Sequence, residues 1–257
     1  MRLYSKIYGS EGHELIIIHG LFGMSDNWHS LGKKFSKYYR VHLVDLRNHG
    51  RSPHSNNFDY EVMCNDIMDY IRDNNIQQPI LLGHSLGGKV AMKFAFTYPK
   101  EVARLIVGDI APRKYSIDFH KNLLMKLSRL DLENFTKRSE VEAVLSLFIA
   151  DSGVRLFLLK NLYRDEKQEF AWRFNIDVLL EKLDNIQDDS FLVGICDVST
   201  CFIRGGESNY IDLKDELIIK RHFSDFRIIT IDGAGHWLHA EKPSILHDEV
   251  IRFCSDM

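Results

Sequence analysis

Leu15-Ile16-Ile17-Ile18 is a continuous apolar run dominated by β-branched side chains, and three similar runs follow within the first 110 residues. They are Val41-His42-Leu43-Val44, Pro79-Ile80-Leu81-Leu82 and Leu105-Ile106-Val107. A strand with one wet face alternates apolar and polar residues, whereas a strand covered on both faces does not. Between the runs lie helical patterns near residues 26–37, 59–74 and 86–97; in the second, Tyr60, Met63, Ile67, Tyr70 and Ile71 share one helix face. Strand–helix–strand alternation of this kind predicts an α/β fold built on a parallel sheet with right-handed crossovers.

The alternation stops near residue 112. From there to about 193 the apolar residues recur at helical spacing, as in Leu123, Leu124, Leu127, Leu130 and again Leu145, Phe148, Ile149, with no convincing strand. It resumes with Thr200-Cys201-Phe202-Ile203, a helix near 212–222, Arg227-Ile228-Ile229-Thr230-Ile231 and a last helix near 243–255. The expected organisation is one structural domain: core over 1–111, a helical cap inserted over 112–193, and core again over 194–257. No repeat, low-complexity tract or Pro/Gly/Ser-rich linker interrupts it.

Composition removes several function classes. With 33 Lys and Arg against 36 Asp and Glu, the net charge of −3 gives no reason to expect nucleic acid or an anionic membrane as partner. No run approaches the ~18 apolar residues that span a bilayer. Met1-Arg2-Leu3-Tyr4-Ser5-Lys6 lacks the apolar block of a signal peptide. Cys64, Cys196, Cys201 and Cys254 form no C-x-x-C pair and no zinc spacing, and read as reduced packing thiols, even though a Cys196–Cys201 bridge is conceivable. A cytoplasmic protein, monomeric by default, is expected.

Gly83-His84-Ser85-Leu86-Gly87 follows one apolar run directly and opens a helical stretch. In that position G-x-S-x-G reads as a nucleophile elbow, which lifts Ser85 above the sheet at a helix N-terminus. Gly233-Ala234-Gly235-His236-Trp237 follows the last strand, so a flexible loop can carry the His236 imidazole to the serine as its base. An oxyanion needs converging backbone N–H groups. Leu86, just after the serine, supplies one; His19-Gly20-Leu21-Phe22-Gly23, after the first strand, supplies the other, with Leu21 the candidate and Phe22 the alternative. For the acid, Asp109 ends the strand expected beside that of Ser85; Asp212 and Glu207 are the other candidates, and Asp212 also suits a helix N-terminus.

Together these segments resemble the α/β-hydrolase superfamily. More narrowly, His19–Gly23, Arg47-Asn48-His49-Gly50, Gly108-Asp109-Ile110-Ala111-Pro112, Trp172-Arg173-Phe174-Asn175 and Gly233–Pro243 resemble the small bacterial esterases of the YbfF type and the related abhydrolase-domain proteins. The resemblance implies a mostly parallel eight-stranded sheet, a helical cap and a serine esterase acting on acyl esters, including acyl thioesters. Most of that superfamily carries its acid after the strand that is here Cys201–Arg204. This chain has Gly205-Gly206-Glu207-Ser208-Asn209 there, with an asparagine where the acid would fall, and the D-I-x-P context favours Asp109.

The expected reaction is two-step acyl transfer on a small-molecule ester, with no metal or organic cofactor needed. Phe22 and Trp237 are the candidate substrate contacts. Lys121, Lys126 and Arg129 are either a solvated helix face or a site attracting an anionic leaving group such as coenzyme A. Arg47–Ser52 is expected to organise a neighbouring loop, with Asp45 held by backbone or arginine contacts. A carbon–carbon bond hydrolase or lyase on the same triad is the alternative chemistry, and a non-catalytic receptor or scaffold the alternative class.

Overall fold

The computed structural model describes residues 1–187 and 192–255. The first half runs β1 (Ser5–Tyr8), β2 (His13–Ile18), α1 (His29–Phe35), β3 (Tyr39–Val44), α2 (Tyr60–Asp73), β4 (Ile80–His84), α3 (Leu86–Thr97) and β5 (Arg104–Gly108). Then come α4 (Asp118–Leu127), α5 (Arg138–Ser146), α6 (Ser152–Leu159), β6 (Leu162–Arg164), β7 (Phe170–Trp172) and α7 (Ile176–Lys182). The chain closes with β8 (Thr200–Gly205), α8 (Asp215–His222), β9 (Phe226–Ile231), α9 (Leu238–Glu241) and α10 (Pro243–Cys254). Part of the span assigned to the cap, residues 188–191, lies outside the described residues.

The sheet order is β1-β3-β2-β4-β5-β8-β9, seven strands among the described residues against the eight implied by the resemblance. Every neighbouring pair is parallel except β1 with β3. The two remaining strands, β6 and β7, pair only with each other, between the cap helices. At three residues each they are too short for a period-2 pattern to register, and β1 is a half-exposed edge strand without an apolar run.

Burial on two faces explains the continuous apolar runs. In β2, Leu15 and Ile17 face the layer made by Leu31 and Phe35 of α1 and Leu246, Val250 and Phe253 of α10. Ile16 and Ile18 face the opposite layer, with Ile67 of α2, Val90 and Phe94 of α3, and apolar residues of α4 to α7. Successive side chains of a strand point to opposite faces, so a strand buried on both needs apolar residues at every position. The four cysteines are buried and unpaired, which places Cys196 and Cys201 among the packing residues.

From β2 the chain moves outward to β3, then crosses back to place β4 on the other side of β2. The carboxyl ends of β2 and β4 therefore flank the point where the winding direction reverses, the place where open α/β sheets leave a crevice.

Candidate active site

β4 ends at His84 and α3 begins at Leu86, so Ser85 alone makes the turn, at φ 52 and ψ −116. A non-glycine residue in that region is strained and persists only when its surroundings over-determine it. Here the Ser85 N–H donates to the Gly108 carbonyl at 2.9 Å. The start of α3 lies against the end of β2: a Cβ on Gly87 would stand 2.2 Å from the Ile18 carbonyl oxygen. Only glycine permits that approach.

The segment after β2 is tied down by its own histidine. The Gly20 carbonyl accepts from the Gly23 N–H at 2.9 Å and from His19 Nδ1 at 2.8 Å. His19 Nε2 accepts from the Leu46 N–H at 3.0 Å, which fixes the proton on Nδ1, and burial lowers the ring's pKa to about 4, so it is neutral. In a planar trans peptide the N–H points opposite the C=O. Anchoring the Gly20 carbonyl therefore turns the Leu21 N–H the other way, while the Phe22 carbonyl accepts from Asn161 Nδ2 at 2.8 Å. Phe22 itself sits at φ 60, with its ring packed on Phe174 and His120.

His236 leaves the end of β9 on the glycine loop. Its Nδ1 lies 2.7 Å from Asp109 Oδ2. Asp109 is fully buried at φ 47 just past β5, and its other oxygen accepts from the Gly205 N–H at 3.0 Å. Ser208 donates its hydroxyl to the Oδ2 that faces His236. The imidazole stacks on Tyr210, with ring centroids 3.8 Å apart and planes 17° from parallel. Its loop is held from both sides: His84 Nε2 donates to the His236 carbonyl at 2.8 Å, and Glu241 accepts from the N–H groups of Gly235 and Trp237 at 2.6 and 3.2 Å. Burial pushes the pKa of His84 down to about 3, so this neighbour of His236 adds no positive charge.

Of the alternative acids, Asp212 caps the start of α8, accepting from the N–H groups of Lys214 and Asp215 at 2.7 and 3.2 Å. Glu207 is exposed, and neither carboxylate is hydrogen-bonded to His236. Ser208, Tyr210 and Glu241 escaped sequence reasoning. The one available signal for Ser208 was its place in the loop after β8, where the superfamily's acid usually stands. Arg47 pairs with Asp66 of α2 at 2.6 and 2.8 Å, and Asp45 accepts from the backbone of Ser25 and Arg51, so that stretch braces loops.

Ser85 opens onto two cavities. One, of about 260 Å³, is lined by Phe22, Trp28, His236, Trp237 and His239 together with Phe157 from the cap. The second, of about 300 Å³, is lined by Leu86, Ile110, Tyr115 and Ile117 and lacks His236. Leu21, Ser85, His120 and Tyr210 border both. Among the described residues no hydrogen bond joins the Ser85 hydroxyl to the imidazole; such contacts commonly tighten only when substrate binds. The cap cations Lys121, Lys126 and Arg129 line neither cavity; Lys121 faces Asp184 at 3.8 Å, and Lys126 lies over the Phe148 ring. No group of three or more metal-ligating side chains occurs among the described residues, and no described helix is long and apolar enough to cross a membrane.

A family model described as alpha/beta hydrolase fold matches residues 15–125. A putative esterase/lipase of Haemophilus influenzae is 37% identical over 93% of this chain and 82% of its own. An sn-1-specific diacylglycerol lipase of Mus musculus is 34% identical over 93% and 80%, and esterase YbfF of Escherichia coli 31% over 94% and 93%. Among solved structures, a marine microorganism esterase superposes with a TM-score of 0.95 at 39% identity, covering 98% of this chain and 99% of that one.

Proposed function

The chain belongs to the α/β-hydrolase family, and we propose that it hydrolyses small to medium acyl esters through Ser85, His236 and Asp109. It is a serine hydrolase of the esterase kind, as its named relatives are. The observation that carries the residue assignment is the 2.7 Å contact of His236 Nδ1 with the buried Asp109 carboxylate, beside a cavity bordered by Ser85.

In this reading Asp109 holds the imidazole with its proton on Nδ1, so that Nε2 takes the Ser85 proton as Oγ attacks the acyl carbon. The N–H groups of Leu21 and Leu86 receive the oxyanion. The tetrahedral intermediate collapses when His236 returns that proton to the departing alcohol oxygen. Water, deprotonated by the same nitrogen, then attacks the acyl-enzyme; the acid leaves as the bond to Ser85 Oγ breaks, and His236 returns the proton to Oγ. Because the alcohol oxygen must meet His236, the leaving group occupies the cavity bordered by His236 and Trp237, and the acyl chain takes the one beyond Leu86. Lys121, Lys126 and Arg129 border neither cavity, so they do not serve as a coenzyme A site in this reading.

The test is hydrolysis of p-nitrophenyl esters from acetate to decanoate beside the matching acyl-CoA series, with fluorophosphonate labelling of Ser85. Turnover of the short oxygen esters with a chain-length cut-off is expected. A labelled protein inert on every member would instead point to carbon–carbon bonds, and an unlabelled folded protein to a receptor. Ser208→Ala removes one hydrogen bond to a charged acceptor and is expected to lower kcat roughly tenfold with little change in KM. An unchanged kcat would make Ser208 a packing residue.

A further inference from the structure

His239 is a buried histidine that the acyl-transfer steps leave unused. It is 8% exposed, with its ring stacked on Trp28 (centroids 4.4 Å apart, planes 17° from parallel) and edge-on to His84 at 4.9 Å. Neither ring nitrogen has a hydrogen-bond partner among the described residues, and Nδ1 is fully shielded. Burial, with His84, His236 and Lys160 nearby, holds its pKa well below the ordinary value, so the ring is neutral and Nε2 is the nitrogen left for a ligand. A phenylalanine would stack on Trp28 as well without leaving a buried nitrogen unpaired, so packing alone does not account for a histidine here.

Its position supplies the account. His239 borders the His236-lined cavity and also the wider opening into which that cavity continues, past Leu156 and Lys160. Asn27 borders the same two spaces. Its amide oxygen accepts from the Met24 N–H at 2.8 Å, which fixes the amide orientation, and its NH₂ group has no partner among the described residues. Two hydrogen-bonding side chains from separate elements thus lie unpaired where the two spaces meet, beside Phe157 and Trp237, which also border both.

We propose that His239 and Asn27 form a polar subsite for the alcohol half of the ester, selecting leaving groups that carry free hydroxyls over plain alkyl alcohols. This rests on the esterase reading above. With Nδ1 shielded, a hydroxyl meets Nε2, which donates or accepts according to the tautomer, while the Asn27 NH₂ donates to a second one. An alkyl chain displaces water from both side chains without replacing its hydrogen bonds, and that difference creates the preference.

The measurement is kcat/KM on 1-monobutyrin and propyl butyrate, which share the acyl group and the three-carbon alcohol and differ by two hydroxyls. After correction for their alkaline hydrolysis rates, the ratio is expected to favour monobutyrin by about tenfold in the wild type. His239→Phe, which keeps the stack on Trp28, should bring the ratio towards one, and His239→Gln should retain most of the preference. A wild-type ratio at or below one overturns the subsite even where His239→Phe fails to fold; so does a ratio that His239→Phe leaves unchanged. A wild type that hydrolyses neither ester overturns the esterase reading, and the subsite with it.

Discussion

Asp109→Asn lowers kcat by about 10³–10⁴-fold, the effect of presenting the base in its wrong tautomer. The carboxylate at 109 takes three donors: the Gly205 N–H, the Ser208 hydroxyl and His236 Nδ1. An amide has one acceptor oxygen. With that oxygen on Gly205, its NH₂ faces Ser208 and His236, so Nδ1 must accept and the ring proton moves to Nε2, opposite Ser85. The base is then blocked, and no negative charge remains to offset the imidazolium. Asparagine tolerates the positive φ of this position as well as aspartate does, so the fold is expected to survive. The matching control is Asp212→Asn, which touches only the start of α8 and should leave kcat where it was. If the control carried the loss and Asp109→Asn did not, the acid would be Asp212. Steady-state kinetics on p-nitrophenyl butyrate with both proteins decides the point.

Ser85→Ala is expected to cost more, about 10⁵–10⁶-fold in kcat, because the covalent intermediate can no longer form. The remaining rate would come from the oxyanion donors and binding alone. Stability should hold or rise slightly: the Ser85 hydroxyl makes no hydrogen bond to another described residue, and the strain at φ 52 belongs to the backbone. Steady-state kinetics and loss of fluorophosphonate labelling would read the first expectation, and circular dichroism with the thermal midpoint the second. Hydrolysis close to the wild-type rate would remove Ser85 from the mechanism.

The sequence made the inner sheet legible because burial on both faces writes itself as apolar runs; β2, β3, β4, β5 and β8 lie where such runs predict, and β9, an edge strand with Arg227 and Thr230 exposed, is read from the renewed alternation. It hid β1, whose Lys6 and Tyr8 suit an edge, and the three-residue pair β6 and β7. At the site, Ser85 and His236 announced themselves through neighbouring glycines that only a tight approach requires. Asp109 was chosen for its strand position, and its carboxylate lies 2.7 Å from His236 Nδ1. Ser208 and Tyr210 were not legible, since a serine and a tyrosine in a loop carry no pattern until β8 sets that loop against His236. Glu241 was invisible for a similar reason: its carboxylate serves backbone N–H groups, which have no sequence identity.

β5 and β8 are neighbours in register, with Leu105 opposite Thr200 and Gly108 opposite Ile203. Everything between them leaves the sheet and re-enters it at adjacent positions, so the length of that excursion places no demand on strand pairing, and its closure entropy grows only logarithmically. Ser85 and His236 follow β4 and β9, outside the excursion, and Asp109 is its first residue, while Phe157, His120 and Leu123 on the cavity wall lie deeper within it. One side of the cavity wall can therefore change while Phe22, Asn27, Trp28 and His239 on the other side stay as they are. A recombination event that exchanged only α4 to α7 would keep Ser85, Asp109 and His236 and re-line one side of the cavity, a larger step than point substitutions along the wall allow.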